Sequence, residues 1–227
     1  MTNERIDAFL SLNKIFMERG FSLYLVGGTV RDYLLNIELV DMDAVTDALP
    51  SDMELFLESA DFSFKRFGSV KIKYLGFKFD ITTMRKEAGY DDFRHPNQIE
   101  FCDSLKIDVL RRDFTINGLY MDKDLEIIDY INGVKDLENK IIKTIGGADK
   151  RIKEDPLRIF RAIRFMVEFD FSLDEELLNA IIINKNLVRE LNIEKIIMEI
   201  KRSNKQKEML DVIKKLDIPW YNTNYDY

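Results

Sequence analysis

The chain has 227 residues, enough for one sizeable domain or two small ones, and its 46% hydrophobic content excludes a disordered polypeptide. A formal charge of −7, from 34 Lys+Arg against 41 Asp+Glu, excludes a basic-coated nucleic-acid binder and confines any such contact to local patches. One cysteine, Cys102, and one histidine, His95, cannot supply an intramolecular disulfide, a zinc site or histidine-based catalysis, so carboxylates must carry any metal.

The N-terminus MTNERIDAFL has acidic residues and no long apolar core, and no stretch approaches the roughly 18 apolar residues of a membrane span. The expected location is the cytoplasm, with no membrane partner. Ile6, Phe9, Leu10, Leu12, Ile15 and Phe16 recur at three- and four-residue spacing, which predicts an amphipathic helix over 3–19 closed by Gly20. Leu23-Tyr24-Leu25-Val26 is a strand run. Gly27-Gly28 stops it and lets backbone approach a bulky anion, and a helix over 29–35 would aim its first N–H groups there, with Arg31 as a forked cation.

Asp41 and Asp43 follow at a spacing of two, which puts both on one face of an extended strand. Two converging carboxylates favour a divalent cation with hard oxygen ligands. They also read as the polar face of an alternating strand whose other face is Val40, Met42 and Ala44. Beyond a turn at 47–51, a short helix is expected over 52–59 and short strands over 64–67 and 70–74, around Gly68. Residues 77–83 alternate strictly, so Asp80 stands on the polar face of a strand, where a solvated residue is the plain reading.

Residues 83–96 carry many charges, a glycine, a proline and no period, and predict a loop. A short strand over 99–101 precedes the run Leu110-Arg111-Arg112-Asp113-Phe114-Thr115-Ile116-Asn117. Arginine forks suit phosphate oxygens, and Asp113 and Asn117, four apart, would share one face of a helix; Asp113 also reads as a cap and Arg111 as a surface residue. A strand over 125–130 and a turn at Asn132-Gly133 complete this part.

Gly146-Gly147 marks a boundary, beyond which the pattern is helical. Arg158, Arg161 and Arg164 recur every three residues beside an apolar stripe of Phe160, Ile163 and Val167, after Glu154-Asp155-Pro156, which reads equally as a helix cap with proline at the first turn. Between Lys185 and Lys207 seven basic residues stand against three acidic ones, a patch for RNA backbone or an ordinary solvated face. The tail 218–227 is aromatic.

Gly27-Gly28-x-x-Arg31-Asp32 followed by Asp41-x-Asp43 resembles the signature of polymerase-β-like nucleotidyltransferases. With Arg111-Arg112-Asp113-Phe114-Thr115-Ile116-Asn117, Gly133-x-x-Asp136-Leu137 and Glu154-Asp155-x-x-Arg158-x-x-Arg161, the chain is similar, in five motifs from about residue 23 to 202, to tRNA nucleotidyltransferases (CCA-adding enzymes) and bacterial poly(A) polymerases. The stretch Thr83 to Pro96 resembles the flexible loop of that family, with His95 where a second arginine is common.

The resemblance implies an α+β fold: a nucleotidyltransferase head over 1–147 and an all-α neck over 148–227, in a bacterial class II short form without most of the C-terminal body and tail. It implies Mg2+-dependent, template-independent addition of CMP and AMP from CTP and ATP to the 3′ end of tRNA. Poly(A) polymerase and partial CC- or A-adding activity are the alternatives, and a non-catalytic RNA-binding relative is a third. Asp41 and Asp43 would hold metal, and Asp80 would assist the attacking hydroxyl. Gly28, Arg31 and Arg112 would bind triphosphate; Asp155 and Arg158 would read the base, with Arg161 and Arg164 supporting them. A homodimer or a helper protein would make good a missing grip on tRNA.

Overall fold

The computed structural model describes residues 2–90 and 96–220, which form two compact units. The first comprises 1–88, 98–112 and 116–134; the second comprises 89–97, 113–115 and 135–227. Residues 91–95, including His95 and the middle of the stretch expected as a loop, and the tail from 221 lie outside the described residues. No helix among the described residues is long and apolar enough to cross a membrane.

The first unit is built on a six-stranded mixed sheet. Its strands are β1 (Leu23–Val26), β2 (Met42–Thr46), β3 (Ser69–Tyr74), β4 (Phe77–Thr83), β7 (Tyr120–Met121) and β8 (Ile127–Ile128), in the order β3-β4-β2-β1-β7-β8. Only β2 and β4 run parallel; the other neighbours are antiparallel. Helix α1 (Thr2–Glu18) presents Phe9, Leu12 and Phe16, all fully buried, and packs on β1. Alternation puts Phe79 and Ile81 of β4 in the core and turns Asp80 to the other face.

Several expected elements are shorter or different. Asp41 precedes β2, and Val40 is 73% exposed where Met42 and Ala44 are buried, so the alternating face begins one residue pair later than expected. The helix expected over 52–59 is α3 (Pro50–Met53), continued by tight i→i+3 turns that leave Leu55 exposed. Residues 64–67 form a single 3-10 turn (Lys65–Phe67) and not a strand, because Gly68 at φ 78° closes it. Charge is not absence of structure. Arg85 to Tyr90, expected as loop, is strand β5, which pairs with β6 (Pro96–Phe101); Arg85 and Glu87, two apart on one face, neutralise each other.

The 107–120 segment is not one helix. α4 (Leu105–Asp108) runs into a 3-10 turn (Val109–Arg111), Arg112 is extended (φ −71°, ψ 164°), and a second turn covers Thr115–Asn117. Long-range backbone bonds from Thr115 to Lys143 (2.8 Å) and from Ile145 to Asp113 (3.0 Å) tie this part of the chain to 143–145, against local helix propensity. The strand expected over 125–130 shrinks to β8, because the Asp129 carboxylate accepts from the Ile131, Gly133 and Val134 amides and bends the chain.

The second unit packs α6 (Ala148–Glu154), α7 (Leu157–Phe169), α8 (Glu175–Asn184), α9 (Ile193–Lys201) and α10 (Gln206–Lys215), entered through α5 (Gly133–Glu138). It also holds a parallel pair, β9 (Ile141–Ile142) with β10 (Ser172–Leu173), so it is not purely helical. Gly146 at φ 84° turns the chain into α6, whose Ala148 amide donates to the Glu176 carboxylate (2.9 Å).

Candidate active site

The carboxylates come together because β2 and β4 are parallel neighbours: their register sets Asp43 directly beside Asp80. The Thr29 hydroxyl, at the start of α2 (Gly28–Leu34), accepts from the Asp43 amide (2.8 Å) and donates to the Asp41 carbonyl (3.4 Å). One buried side chain thereby sets the backbone of both aspartates. Gly27 (φ 66°) makes the turn, which needs glycine there, while Gly28 leaves its Cβ position in ordinary contact distance of the Arg31 guanidinium (3.4 Å) and the Asp43 carboxylate (4.0 Å).

Asp80 is engaged on both oxygens, by the Ser69 hydroxyl (2.8 Å) and the Lys71 ammonium (2.9 Å). Asp43 lines an open pocket and is exposed to water, yet protein atoms crowd around it. That desolvation first, then repulsion from Asp80 and Asp41, pushes its pKa up to about 6, against the pull of Arg112 and Arg31. Among the described residues no three His, Cys, Asp or Glu side chains already form a complete metal cage. The donors here are nonetheless all oxygen and crowded with negative charge. That set fits a divalent cation bound by a carboxylate pair, with water and substrate oxygens completing its shell.

A raised carboxylate pKa sets a sign for stability. Asp43 contributes fully below its ordinary 3.8, and the contribution is lost as pH rises through about 6. With divalent cations chelated, the Tm of the wild-type chain should fall between pH 4 and 7 relative to Asp43→Asn. Parallel Tm profiles for the two proteins would refute the electrostatic reading of this pocket.

The pocket, about 460 Å³, is lined by Asp43, Asp80, Ser69 and Lys71 from the sheet, by Phe64 and Phe67, and by Arg85, Arg111 and Arg112. The arginines are held by two carboxylates. Asp108, fully buried, accepts from Arg111 Nε (2.8 Å), Arg112 Nη2 (2.8 Å) and the Tyr120 hydroxyl (2.9 Å), while Glu87 binds Arg85 (2.7 Å) and Arg111 (3.3 Å). Burial alone would raise the Asp108 pKa; Arg112 and Arg111 overcome it and hold the group far below the usual carboxylate range. Burial likewise opposes the charge on Arg112, which Asp108 restores, and pushes the Tyr120 phenol up. Arg31 is tied to Asn117 (2.6 Å) and Asp32 (2.9 Å) and lies outside the pocket lining.

Of the residues singled out from sequence, Asp43, Asp80 and Arg112 line one pocket, with Asp41, Gly28 and Arg31 around Asp43. Thr29, Ser69, Lys71, Arg85, Arg111 and Asp108 were missed or discounted. The i,i+3 and i,i+4 spacing of Asp108 to the two arginines was the available signal.

In the second unit, the Asp155 carboxylate accepts from the Leu157 amide (3.1 Å), as a helix cap does. Arg158 is buried and donates to the Arg151 carbonyl (2.5 Å), with Glu154 at 3.5 Å. Arg161 pairs with Asp113, and Arg164 with Glu199 (3.1 Å), a buried carboxylate that also takes Arg202 (2.6 Å). Asp113 and Asn117 therefore serve different partners and share no helix face.

The poly A polymerase head domain family matches residues 23–143. The CCA-adding enzyme of Lactobacillus delbrueckii subsp. bulgaricus is 44% identical over 202 residues, covering 86% of this chain and 50% of that protein. The CCA-adding enzyme of Staphylococcus saprophyticus is 37% identical over 202 residues, covering 89% and 51%. Among solved structures, the Bacillus stearothermophilus CCA-adding enzyme in complex with CTP superposes with a TM-score of 0.83 at 31% identity, covering 92% of this chain and 51% of that one. A tRNA nucleotidyltransferase complexed with a primer tRNA and an incoming ATP analog gives 0.78 at 29%, covering 95% and 63%. The chain spans about half the length of the curated relatives it matches. With the glycine turn, the Asp41-x-Asp43 pair and the arginine run all inside the matched segment, the chain belongs to the poly A polymerase head domain family.

Proposed function

We propose that this chain is a template-independent nucleotidyltransferase that adds CMP and AMP from CTP and ATP to the 3′ end of tRNA, with Mg2+ as cofactor, in the cytoplasm. The observation that carries the reading is a single pocket in which Asp43 and Asp80 meet Arg85, Arg111 and Arg112. Carboxylates for a cation and forked cations for phosphate oxygens are what transfer from a triphosphate requires. The CTP, ATP-analog and primer-tRNA complexes of structural neighbours support the choice of substrates.

Asp41 and Asp43 would hold the metal; when bound, it supplies the charge that steadies the triphosphate and acidifies the RNA 3′-hydroxyl, in two-metal fashion. Asp80 accepts the hydroxyl proton or orients that hydroxyl. Gly28 gives backbone access, and Arg31 and Arg112 neutralise phosphate oxygens, Arg112 held in place by Asp108. Asp155 and Arg158 read the base edge, a carboxylate accepting from the exocyclic amine that C and A share. Arg158 must release the Arg151 carbonyl to do so, and Arg161 and Arg164 support the helix behind it. The division of labour is a catalytic head over 1–147 and a base-reading neck over 148–227.

The test is incubation of the chain with Mg2+, CTP and ATP, separately and together, on tRNA ending before CCA, after C and after CC. Addition stopping at CCA is expected. Long A tracts, which the family's description also favours, would make it a poly(A) polymerase; A on the CC end alone would make it an A-adding enzyme. No product on any RNA, even with a second copy at high concentration or a helper protein supplied, would overturn the proposal.

A further inference from the structure

Resting on that transferase reading, we propose that the turn at 64–67 is a stacking platform for a nucleobase, that of the 3′-terminal nucleotide of the RNA. Phe64 lines the same pocket as Asp43 and Asp80, yet it is 51% exposed. Phe67 lines it too, with the Arg66 guanidinium 4.4 Å from its ring centre. One exposed phenylalanine on a surface needs no explanation. Here Val26, Ala44 and Val45, which also line the pocket, are buried in the sheet, and the rest of the lining is charged or small and polar, so two phenylalanines in this wall, one of them half exposed, offer a surface to something apolar and flat.

The platform is held before any ligand arrives. The Phe67 amide donates to the Phe64 carbonyl and the Gly68 amide to the Lys65 carbonyl (both 2.9 Å), while the Thr83 amide donates to Gly68 (2.8 Å). Arg85 donates to the Phe67 carbonyl, and Lys65 pairs with Glu54 (2.7 Å). An aromatic wall already fixed loses little entropy when a base stacks on it.

A base could come from the RNA or from the incoming nucleotide, and the chain favours the RNA. The turn leads straight into Ser69 and Lys71, the two residues that hold Asp80, the carboxylate assigned to the attacking hydroxyl. Stacking accepts any base. That tolerance suits an RNA end whose terminal residue changes after each addition, whereas selection of C and A demands hydrogen-bonding edges.

The experiment uses a tRNA acceptor hairpin with 2-aminopurine as its 3′-terminal nucleotide, and the full chain as wild type, Phe64→Ala and Phe64→Tyr. Wild type should quench the fluorophore. Phe64→Ala should lose the quench and raise the KM for RNA about tenfold, as loss of one base stack does, with the KM for CTP unchanged; Phe64→Tyr should restore both. An unchanged quench and KM for RNA in Phe64→Ala would overturn the platform, and a raised KM for CTP alone would reassign it to the incoming base. Phe64-dependent quenching with no incorporation by wild type would leave the platform standing and remove the transferase reading instead.

Discussion

Replacing Asp43 with alanine or asparagine is expected to lower nucleotide incorporation by about 10³-fold or more, on the order of 4 kcal/mol of transition-state stabilisation, while the chain stays folded. Asp43 is the point on which the pocket converges. Asp80 stands beside it in register, Thr29 fixes its amide, and Asp41, Arg31 and Arg112 all act on its charge. Its side chain faces the pocket and not the core, and its ionised form is disfavoured in the fold, so removing the carboxylate relieves repulsion and leaves packing intact. The same argument applies to Asp41→Ala, because that residue is exposed and precedes the strand. Single-nucleotide extension of a tRNA ending in CC, followed alongside circular dichroism, measures both quantities. Turnover within tenfold of wild type in either variant would remove the metal-holding role.

Asp108→Ala should behave in the opposite manner, losing stability first and activity with it. The carboxylate is fully buried and is shared by Arg111, Arg112 and the Tyr120 hydroxyl. Deleting it removes the buried carboxylate that Arg112 and Arg111 share, leaving Arg111 with Glu87 at 3.3 Å, a loss of about 3–5 kcal/mol, which corresponds to a Tm lower by about 10 °C for a chain of this size. The pH dependence follows from the depressed pKa: the stabilisation is present above the ordinary carboxylate range and is lost as pH falls below about 4. Near neutral pH and below the variant's Tm, the KM for CTP should rise by about tenfold or more, because Arg112 is no longer aimed. Thermal melts at pH 7 and at pH 3 check the first part, since the gap between wild type and variant should narrow in acid. A gap that stays constant would assign the loss to packing and not to charge.

How far the sequence could be read differed by element. Leu23–Val26 and 77–83 were legible as strands, because short apolar runs and strict alternation are local signals that the sheet then satisfied. Asp80 could be put on the polar face of its strand for the same reason. What it faced could not be read. Lys71 and Ser69 reach it only because β3 pairs antiparallel with β4, and no local pattern specifies a partner strand. Residues 85–90 misled in the other direction. A charged run resembles a loop until Arg85 finds Glu87, and the two carboxylates that organise the arginines are then supplied from 85–90 and 105–108, each unremarkable by itself.

The Arg111-Arg112-Asp113 run shows the same limit more sharply. Residue types and spacing pointed to phosphate chemistry, and Arg112 does line the pocket. The helix that would have carried Asp113 and Asn117 on one face is broken by long-range backbone pairing with 143–145, and Asp113 ends in the second unit beside Arg161. Propensity differences of a few tenths of a kcal/mol per residue cannot compete with such pairing.

The sequence by itself determined the chemistry available to this protein. With one histidine and one cysteine, histidine-based chemistry and a zinc site were excluded and any metal had to rest on carboxylates, and the glycine turn, the Asp41-x-Asp43 pair and the arginine run are local features that a short stretch of chain specifies. Only the tertiary structure decided which of them meet. The parallel register of β2 with β4 sets Asp43 beside Asp80, the buried Asp108 orients Arg111 and Arg112, and the closed turn at 64–67 brings two aromatic rings to the pocket wall. The reason is physical: side-chain identity travels with the chain, whereas strand pairing and desolvation depend on residues distant in sequence, and those set both the pKa of Asp43 and the direction of each guanidinium.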